Sequence, residues 1–330
     1  MSISSIAIRV SRRIRGRRPA PAILMYHRVI ELEQDPWDLA VSPEIFEQQL
    51  AYLKSHRTVM PLDQLVVGLS NGSLPRNAVA ITFDDGYRDN LVYAKPLLER
   101  YYLPATLFLA TGWVGSSVPF WWDELAGWTL RSGHAVDHTV SVANDKFSLL
   151  WDGPEAADVD GKWRAADEPQ TKRQRAYLSL WRKLRDVSQR ERSRVMDSLR
   201  EAFGGLHDPL ALPLNLTEVQ ELTRDRLVTL GAHTVHHPAL TCLSEENCLN
   251  EIIASAEQCR TITGLRTSLF AYPYGDMNEQ VRNIAVGAGF ASACSTRTAH
   301  LSVDREDPYG LPRLAVVNGD MAQFKAILSF

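Results

Sequence analysis

Hydrophobic runs alternate with amphipathic stretches in the first part of the chain, and this alternation predicts strands followed by helices. The apolar run Ala22 to Tyr26 follows a proline and predicts a buried strand. The segment Ser42 to Glu44 then supplies an N-cap residue, a proline for the first helical turn and an acidic residue near the positive helix end. We therefore expect a helix that carries Phe46, Leu50 and Leu53 on its apolar face.

The same alternation returns further along the chain and again near its end. Apolar runs and helical patterns follow one another between residues 78 and 109 and between residues 244 and 294. Strands that alternate with helices are typical of a parallel α/β fold. The predicted strands are Ala78 to Phe83, Ala105 to Leu109, Ser268 to Ala271 and Phe290 to Cys294, and the predicted helices are Leu91 to Arg100, Ser244 to Thr263 and Val281 to Ala288.

The stretch from about residue 113 to residue 215 differs from both ends of the chain. It contains a charged helical run from Thr171 to Phe203 but no alternation of strands and helices. We interpret it as a helical, tryptophan-rich insertion on a loop that lies close enough to the functional site to shape substrate binding. Its tryptophans beyond Trp113 are Trp121, Trp122, Trp128, Trp151, Trp163 and Trp181.

The amino-acid composition indicates the broad class to which the protein belongs. With 330 residues, 45% hydrophobic and 23% charged, the chain resembles an ordinary globular protein with ample material for one large core. The formal net charge of -3 provides no field that would gather nucleic acid over the whole surface. Four cysteines in the last third lack metal or redox spacing and are predicted to be reduced thiols, with a Cys242–Cys248 bond as the alternative in an oxidising compartment.

The first 20 residues form a basic leader, and residues 21-330 are predicted to form one domain. The leader carries six arginines but neither the apolar run of a secretory signal nor a membrane span of about 18 residues. We therefore expect a cytoplasmic protein. The leader is a solvated tail, the product of a misassigned start codon, or a weak anchor to anionic lipids that would place the protein at the periphery of the inner membrane.

Two adjacent carboxylates, Asp84 and Asp85, end the apolar strand that begins at Ala78 and are followed by Gly86. Neighbouring residues of a strand point in opposite directions, so both acids can serve one site only if the strand turns at Asp85. One carboxylate could then hold a metal while the other accepts a proton. The alternative is that both residues merely cap the next helix.

Two histidines, His233 and His237, stand four residues apart, a spacing that brings both rings to one side of a helical turn or tight loop. Together with a carboxylate they suit zinc, and three protein ligands leave positions open for water and substrate. His236 breaks this pattern and is interpreted either as a bystander or as a group that supports the ligands from behind. The alternative is a pair of structural histidines.

The turn formed by Tyr272, Pro273, Tyr274 and Gly275 follows another apolar run. Such a rigid turn could present a backbone N–H to a developing oxyanion and aromatic rings to the face of a sugar. The same composition also occurs in ordinary loops, so this segment is a weak signal when taken alone.

These segments, in this order, resemble the motifs of the polysaccharide deacetylase family, the NodB-homology domain of carbohydrate esterase family four. Thr82 to Gly86 is similar to the first motif, His233 to His237 to the second, and Tyr272 to Gly275 to part of the third. The resemblance extends over Ile23 to Leu109 and Leu227 to Val317 and leaves the insertion outside it.

The resemblance implies a distorted, TIM-like (β/α) barrel and removal of N-acetyl groups from amino sugars of a polysaccharide, an oligosaccharide or a lipid-linked glycan. It implies that Asp84 is the general base, that Asp85, His233 and His237 bind a divalent metal, and that the backbone N–H of Tyr274 binds the oxyanion. Zinc is the expected metal, with Co²⁺, Ni²⁺ or Mn²⁺ as alternatives.

Two departures from the family pattern leave roles open. Ala271 occupies the position of an arginine that orients the base in many members, and Arg313 is our candidate replacement; the alternative is a surface arginine on a C-terminal strand. The C-terminal Leu-x-His motif that supplies the general acid is missing. His27 is our candidate for this acid because it closes the first strand and is similar to a Tyr-His segment of biofilm-polysaccharide deacetylases, and His300 is second.

Two rival functions remain open on the sequence alone. An O-acetyl esterase acting on an exopolysaccharide would use the same metal and base, because an ester is attacked more easily than an amide. A non-catalytic carbohydrate-binding relative would explain the missing arginine and histidine as lost activity.

Overall fold

The computed structural model describes residues 19–131, 136–151, 162–206, 208–303 and 305–329. Contacts within the chain divide these residues into two compact units. We call residues 19–31, 40–117 and 209–329 the barrel unit, and Leu32–Leu39 together with Val118–Asp208 the insertion unit. Most of the predicted leader lies outside the described residues. No helix that the structure describes is long and apolar enough to cross a membrane.

Strands and helices alternate along much of the described chain. The strands are β1 (Ala22–Tyr26), β2 (Arg28–Val29), β3 (Ala40–Val41), β4 (Thr58–Val59), β5 (Ala78–Asp85), β6 (Ala105–Leu109), β7 (Val136–Val142), β8 (Asp145–Trp151), β9 (Val228–Ala232), β10 (Leu269–Ala271), β11 (Ser292–Cys294) and β12 (Leu314–Ala315). The helices are α1 (Pro43–His56), α2 (Leu62–Ser70), α3 (Lys95–Tyr101), α4 (Trp121–Ala126), α5 (Lys172–Asp186), α6 (Gln189–Phe203), α7 (Leu216–Thr223), α8 (Glu245–Thr263), α9 (Glu279–Gly287) and α10 (Met321–Ile327).

The barrel unit is built on one parallel sheet with the strand order β11-β10-β9-β6-β5-β1-β12, and β4 adds to the beginning of β5. The ends of this sheet approach each other. Leu311, just before β12, forms a parallel bridge with Cys294 of β11, and its N–H donates to Ala293 O at 3.0 Å. The predicted distorted (β/α) barrel is thereby confirmed.

The two strands β1 and β5 form because they are mainly apolar and are covered on both faces. Every residue of β1 and of β5 is buried, as expected in a parallel sheet that packs against helices. The predicted first helix is confirmed as α1, where Ser42 Oγ accepts a hydrogen bond from the N–H of Ile45 at 3.3 Å. Phe46, Leu50 and Leu53 of α1 are fully buried in the core.

Several elements differ from the sequence prediction. The predicted helix from Leu91 begins as a π-helical turn, Asn90–Ala94, and continues as α3, where Pro96 has no N–H to donate to the preceding turn. Strand β9 was not predicted because it is short and contains Gly231, although it lies inside the sheet between β10 and β6.

All four cysteines are free thiols, as the sequence predicted, and only Cys242 is exposed.

The insertion unit has its own core. The predicted helical run is confirmed as α5 and α6, and the unit also contains the antiparallel hairpin β7–β8, which was not predicted from the sequence. Six tryptophans are at most 8% exposed, so they form the core of this unit instead of an exposed aromatic surface. They are Trp121, Trp122, Trp128, Trp151, Trp163 and Trp181. The boundaries 113-215 and the influence of the insertion on substrate binding stay predictions.

Candidate active site

The two carboxylates at the end of β5 serve one site because the backbone changes conformation between them. Asp84 keeps the strand conformation, whereas Asp85 has a φ of 74°, in the left-handed region that side chains with a Cβ rarely adopt. Gly86 follows with a φ of 100°, and a Cβ on it would meet Leu109 Cδ1 at 2.4 Å. The turn required for two acids in one site is therefore present at Asp85.

The predicted metal ligands converge. His233 Nε2 lies 3.6 Å and His237 Nε2 lies 3.4 Å from Asp85 Oδ1, and one donor atom of each residue lies within 4.8 Å of the others. The three side chains are buried. Two imidazole nitrogens and one carboxylate oxygen at this separation suit one divalent metal with open coordination positions.

The tautomer of His233 supports this assignment. Its Nδ1 lies 2.7 Å from the carbonyl oxygen of Ala271, which can only accept, so Nδ1 carries the proton. The lone pair of Nε2 then faces Asp85. A ligating histidine commonly has its other ring nitrogen bound in this way. Burial lowers the pKa of His233, which also favours the neutral ring.

The two histidines lie on a tight loop and not on a helical turn. Thr234 and His237 both have left-handed backbones, with φ values of 62° and 54°. The carbonyls of Thr234 and Val235 accept hydrogen bonds from the N–H groups of Thr111 and Gly112, at 3.1 and 2.8 Å. These bonds hold the loop against the segment that follows β6.

Asp84 is held by Arg313 through two parallel hydrogen bonds. Arg313 Nη1 donates to Asp84 Oδ1 and Nη2 donates to Oδ2, both at 2.7 Å, and the arginine is fully buried. Burial alone raises the pKa of Asp84, but the charge and hydrogen bonds of Arg313 outweigh it and hold this pKa below its ordinary value. Arg313 is therefore not a surface residue, and it lies where a group that orients the base must lie.

His27 lies beside the same carboxylate. Its Nε2 is 3.9 Å from Asp84 Oδ2, and its side chain is 19% exposed. Burial lowers the pKa of His27 to about 4, because the stabilising charge of Asp84 is weaker than the loss of solvation. The carbonyl of His27 accepts a hydrogen bond from Asn90 Nδ2 at 2.9 Å, which fixes the backbone at the end of β1.

Comparison with known proteins gives the family. A model of the family described as "Polysaccharide deacetylase" matches residues 71–174 and 213–293, which is more than half of the chain. The chain belongs to the polysaccharide deacetylase family. Poly-beta-1,6-N-acetyl-D-glucosamine N-deacetylase of Staphylococcus aureus is 39% identical over 79 residues, which are 23% of this chain and 27% of the relative. The Staphylococcus epidermidis protein of the same name is 31% identical over 124 residues, 32% of this chain and 42% of the relative. The matched part thus spans less than half the length of either relative.

Solved structures of deacetylases share the fold. The deacetylase PplD of Streptococcus pyogenes, solved in complex with acetate, matches with a TM-score of 0.60 and 18% identity, over 96% of this chain and 100% of that one. IcaB from Ammonifex degensii matches with a TM-score of 0.57 and 19% identity, over 94% of this chain and 98% of that one. Each comparison extends over nearly the full length of both chains.

The third motif requires a correction. Tyr274 lies at the site, with its ring centroid 4.4 Å from that of His237. The expectation that the ring of Tyr272 contacts a sugar is wrong, because Tyr272 is 0% exposed and its hydroxyl donates to the carbonyl of Tyr309 at 3.0 Å. Pro273 is also buried and begins the short 3-10 turn that carries Tyr274, so its ring has no free face for a sugar. Both residues shape the turn.

His300, the second candidate for the general acid, is not brought to the site. The N–H of Leu301 donates to the carbonyl of Pro21 at 2.9 Å, just before β1 begins. His27 follows the other end of β1. Five strand residues span roughly 17 Å, so the segment with His300 lies near the opposite end of the barrel.

Two residues that support the site were not predicted from the sequence. Thr82 Oγ1 accepts a hydrogen bond from Arg313 Nη1 at 3.2 Å and donates to the carbonyl of Leu24 at 2.7 Å. Thr82 precedes Asp84 by two residues and so shares its face of β5, a signal that was available in the sequence. The other is Glu251 of α8, which bonds to His236. The residues around Glu251 form no motif that would have indicated this contact.

Proposed function

We propose that this protein is a metal-dependent hydrolase that removes N-acetyl groups from the amino sugars of a polysaccharide, an oligosaccharide or a lipid-linked glycan. The observation that carries the proposal is the convergence of Asp85, His233 and His237 beside a carboxylate, Asp84, that Arg313 holds in place. The names of the staphylococcal relatives support a polymer of N-acetylglucosamine as the substrate.

Zinc is the metal we propose, held by Asp85, His233 and His237, with Co²⁺, Ni²⁺ and Mn²⁺ as alternatives. Two imidazoles and one carboxylate form a donor set that zinc favours in catalytic sites. When bound, the metal supplies Lewis-acid polarisation of the acetyl carbonyl and acidifies water.

Asp84 is the general base in this proposal. Its lowered pKa keeps it charged at neutral pH, so it can take a proton from the attacking water. The double hydrogen bond from Arg313 directs the carboxylate and limits its rotation. The backbone N–H of Tyr274 stabilises negative charge on the acetyl oxygen.

The leaving amine must receive a proton, and we propose that His27 delivers it. His27 is neutral before the reaction because of its lowered pKa. Its Nε2 is 3.9 Å from Asp84 Oδ2, so the two side chains must move closer in the substrate complex before His27 accepts the proton that Asp84 has taken. His27 then passes this proton to the nitrogen as the carbon–nitrogen bond breaks. The products are acetate and a free amino sugar.

The test is acetate release from N-acetylglucosamine oligomers by metal-stripped protein, with and without added zinc. Zinc-dependent release should disappear in Asp85→Ala together with zinc binding. In Asp84→Asn, release should fall by roughly 10²- to 10⁴-fold, the usual contribution of a general base, while zinc binding is retained. A wild type that binds zinc but releases acetate only from O-acetylated glycans is an esterase, and one that releases none from either substrate is a binding protein.

The cellular setting is a separate proposal. We propose that the protein acts in the cytoplasm and that its basic leader holds it weakly at anionic lipids of the inner membrane. Deletion of residues 1–18 should then lower the fraction recovered with membranes. An unchanged fraction after deletion contradicts the proposed anchor.

A further inference from the structure

The loop that carries the two histidine ligands is held in an unfavourable backbone conformation. Between His233 and His237, Thr234 has a φ of 62°, and His237 itself has a φ of 54°. A left-handed backbone costs a residue with a Cβ on the order of 1 kcal/mol or more. The surrounding structure must therefore supply contacts that keep this loop in the ligand geometry.

One side chain bonds to both residues at the middle of the loop. Glu251 Oε2 accepts hydrogen bonds from the N–H groups of Val235 at 2.8 Å and His236 at 2.9 Å. Glu251 Oε1 lies 2.7 Å from Nδ1 of the His236 ring. A single carboxylate thus receives three bonds from the two residues that separate Thr234 from His237.

Glu251 is attached to a rigid part of the barrel unit. It lies in α8, a helix of 19 residues that buries Cys248, Ile252 and Cys259. The thiol of Cys259 lies 3.7 Å from the carbonyl of Gly231 in β9, the strand that leads into the loop. The side chain of Glu251 is 15% exposed, whereas the His236 ring is 42% exposed.

We propose that Glu251 is a positioning residue that holds the loop so that His233 and His237 stay in the geometry of metal ligands. The inference rests on the proposed metal site. Glu251 acts from behind the loop, through hydrogen bonds to the backbone, and its partners Val235 and His236 are not ligands in this assignment. His236, the apparent bystander of the second motif, is then the ring that orients this carboxylate.

The contact requires an acceptor oxygen at the end of a side chain of this length. Two converging N–H groups form a small anion-binding site, and a carboxylate accepts both through one oxygen while the other oxygen bonds to His236. Without the carboxylate, the two N–H groups lose their protein acceptor. The loop then loses hydrogen bonds that stabilise its left-handed backbone. Ligand positions then spread, and metal affinity falls because part of the binding energy must order the loop.

Zinc itself is the probe. The zinc dissociation constant of the full chain is measured by competition with a chromophoric chelator, and the absorption spectrum of the Co²⁺-loaded protein reports the ligand geometry. Glu251→Ala and Glu251→Asp, whose carboxylate is too short to reach the loop, should each weaken zinc binding by roughly 10- to 100-fold, as is typical when the outer support of a ligand is lost. The Co²⁺ spectrum should change in both.

Two variants serve as controls. Glu251→Gln retains an amide oxygen that can accept both N–H groups, and its zinc affinity should stay within about threefold of the wild type. Glu257→Ala removes a glutamate of the same helix that pairs with Arg260 at the exposed surface, and its affinity should be unchanged. Thermal melting of the metal-free proteins shows whether each variant is folded.

The outcomes separate the inference from the proposed function. A wild type that binds no zinc overturns the proposed metal site. If the wild type binds zinc and folded Glu251→Ala or Glu251→Asp binds it equally well, the positioning role is wrong and the metal site stands. Should Glu251→Ala fail to fold, the comparison of Glu251→Asp with Glu251→Gln decides: equal affinities refute the role, and a tenfold difference supports it.

Discussion

Two halves of the proposed site are built in opposite ways: a metal half with Asp85, His233 and His237, and a base half with Asp84, Thr82 and Arg313. The metal half depends on strained backbone, because Asp85 and His237 have left-handed conformations. The base half depends on regular strand positions: Thr82 and Asp84 alternate along β5, and Arg313 precedes β12. The left-handed backbone at Asp85 and His237 belongs to two of the proposed ligands themselves, whereas Asp84 is held by the side chain of a partner that is 229 residues away.

The two halves also respond differently to substitution. In the metal half, the supporting contacts go mainly to the backbone of one loop, so a lost contact loosens ligands and weakens metal binding. In the base half, the supporting contact is a buried ion pair, so its loss leaves a charge without a partner in a dry site. Each half can therefore be damaged separately by a suitable substitution.

Substitution of Arg313 should give the largest difference between the loss of activity and the loss of zinc binding. Arg313→Gln loses the paired donors of the guanidinium, so acetate release should fall by about 10- to 100-fold, the usual effect of removing a group that orients an active residue. Breaking a buried pair from one side typically costs about 3–5 kcal/mol of stability. Steady-state kinetics and thermal unfolding measure the two effects.

Zinc affinity should change much less than activity in Arg313→Gln. It should stay within about threefold of the wild type, since the hydrogen bonds of the Arg313 side chain go to Asp84, Thr82 and Ser295. Arg260→Gln removes an exposed arginine that pairs with the equally exposed Glu257, and it should leave activity, stability and affinity unchanged. A joint loss of activity and zinc binding in Arg313→Gln contradicts the division into two halves.

A second, smaller effect is expected in the dependence of kcat/KM on pH. The pKa of Asp84 is lowered in the folded protein, so the base is charged at all pH values above that pKa and loses activity only as pH falls through it. The stability contributed by the ion pair is lost over the same acidic range. In Arg313→Gln, burial acts on Asp84 without the guanidinium, so the acidic limb of kcat/KM should move to higher pH. An unmoved limb would show that another group controls it.

The smallest predicted effect concerns the third motif. Tyr272→Phe removes the hydrogen bond from the buried hydroxyl to Tyr309 and should lower the free energy of unfolding by about 1 kcal/mol. The KM and kcat for acetylated oligomers should remain within about twofold of the wild type, because the ring does not reach a sugar. A selective rise in KM would restore the original expectation of a sugar contact.

Much of the barrel was predictable because its signals are local. Buried strands such as β1 and β6 are continuous apolar runs, and α1 begins with a capping serine, a proline and a glutamate. The hairpin β7–β8 was missed because its alternation is half polar and lies among helical segments. Strand β9 was missed because five residues that include a threonine and a glycine give a weak pattern.

Within the site, short segments were enough to predict that Asp84, Asp85, His233 and His237 come together, since their spacing and flanking turns are local. Their roles as base and metal ligands stay predictions. The sequence did not show where the side chains of Arg313 and Tyr272 point, and for one physical reason. Whether a side chain faces a carboxylate, solvent or the core depends on which strands become neighbours. Closure of the sheet brings Arg313 to Asp84 and turns Tyr272 inward, and such long-range contacts leave no periodic trace near either residue.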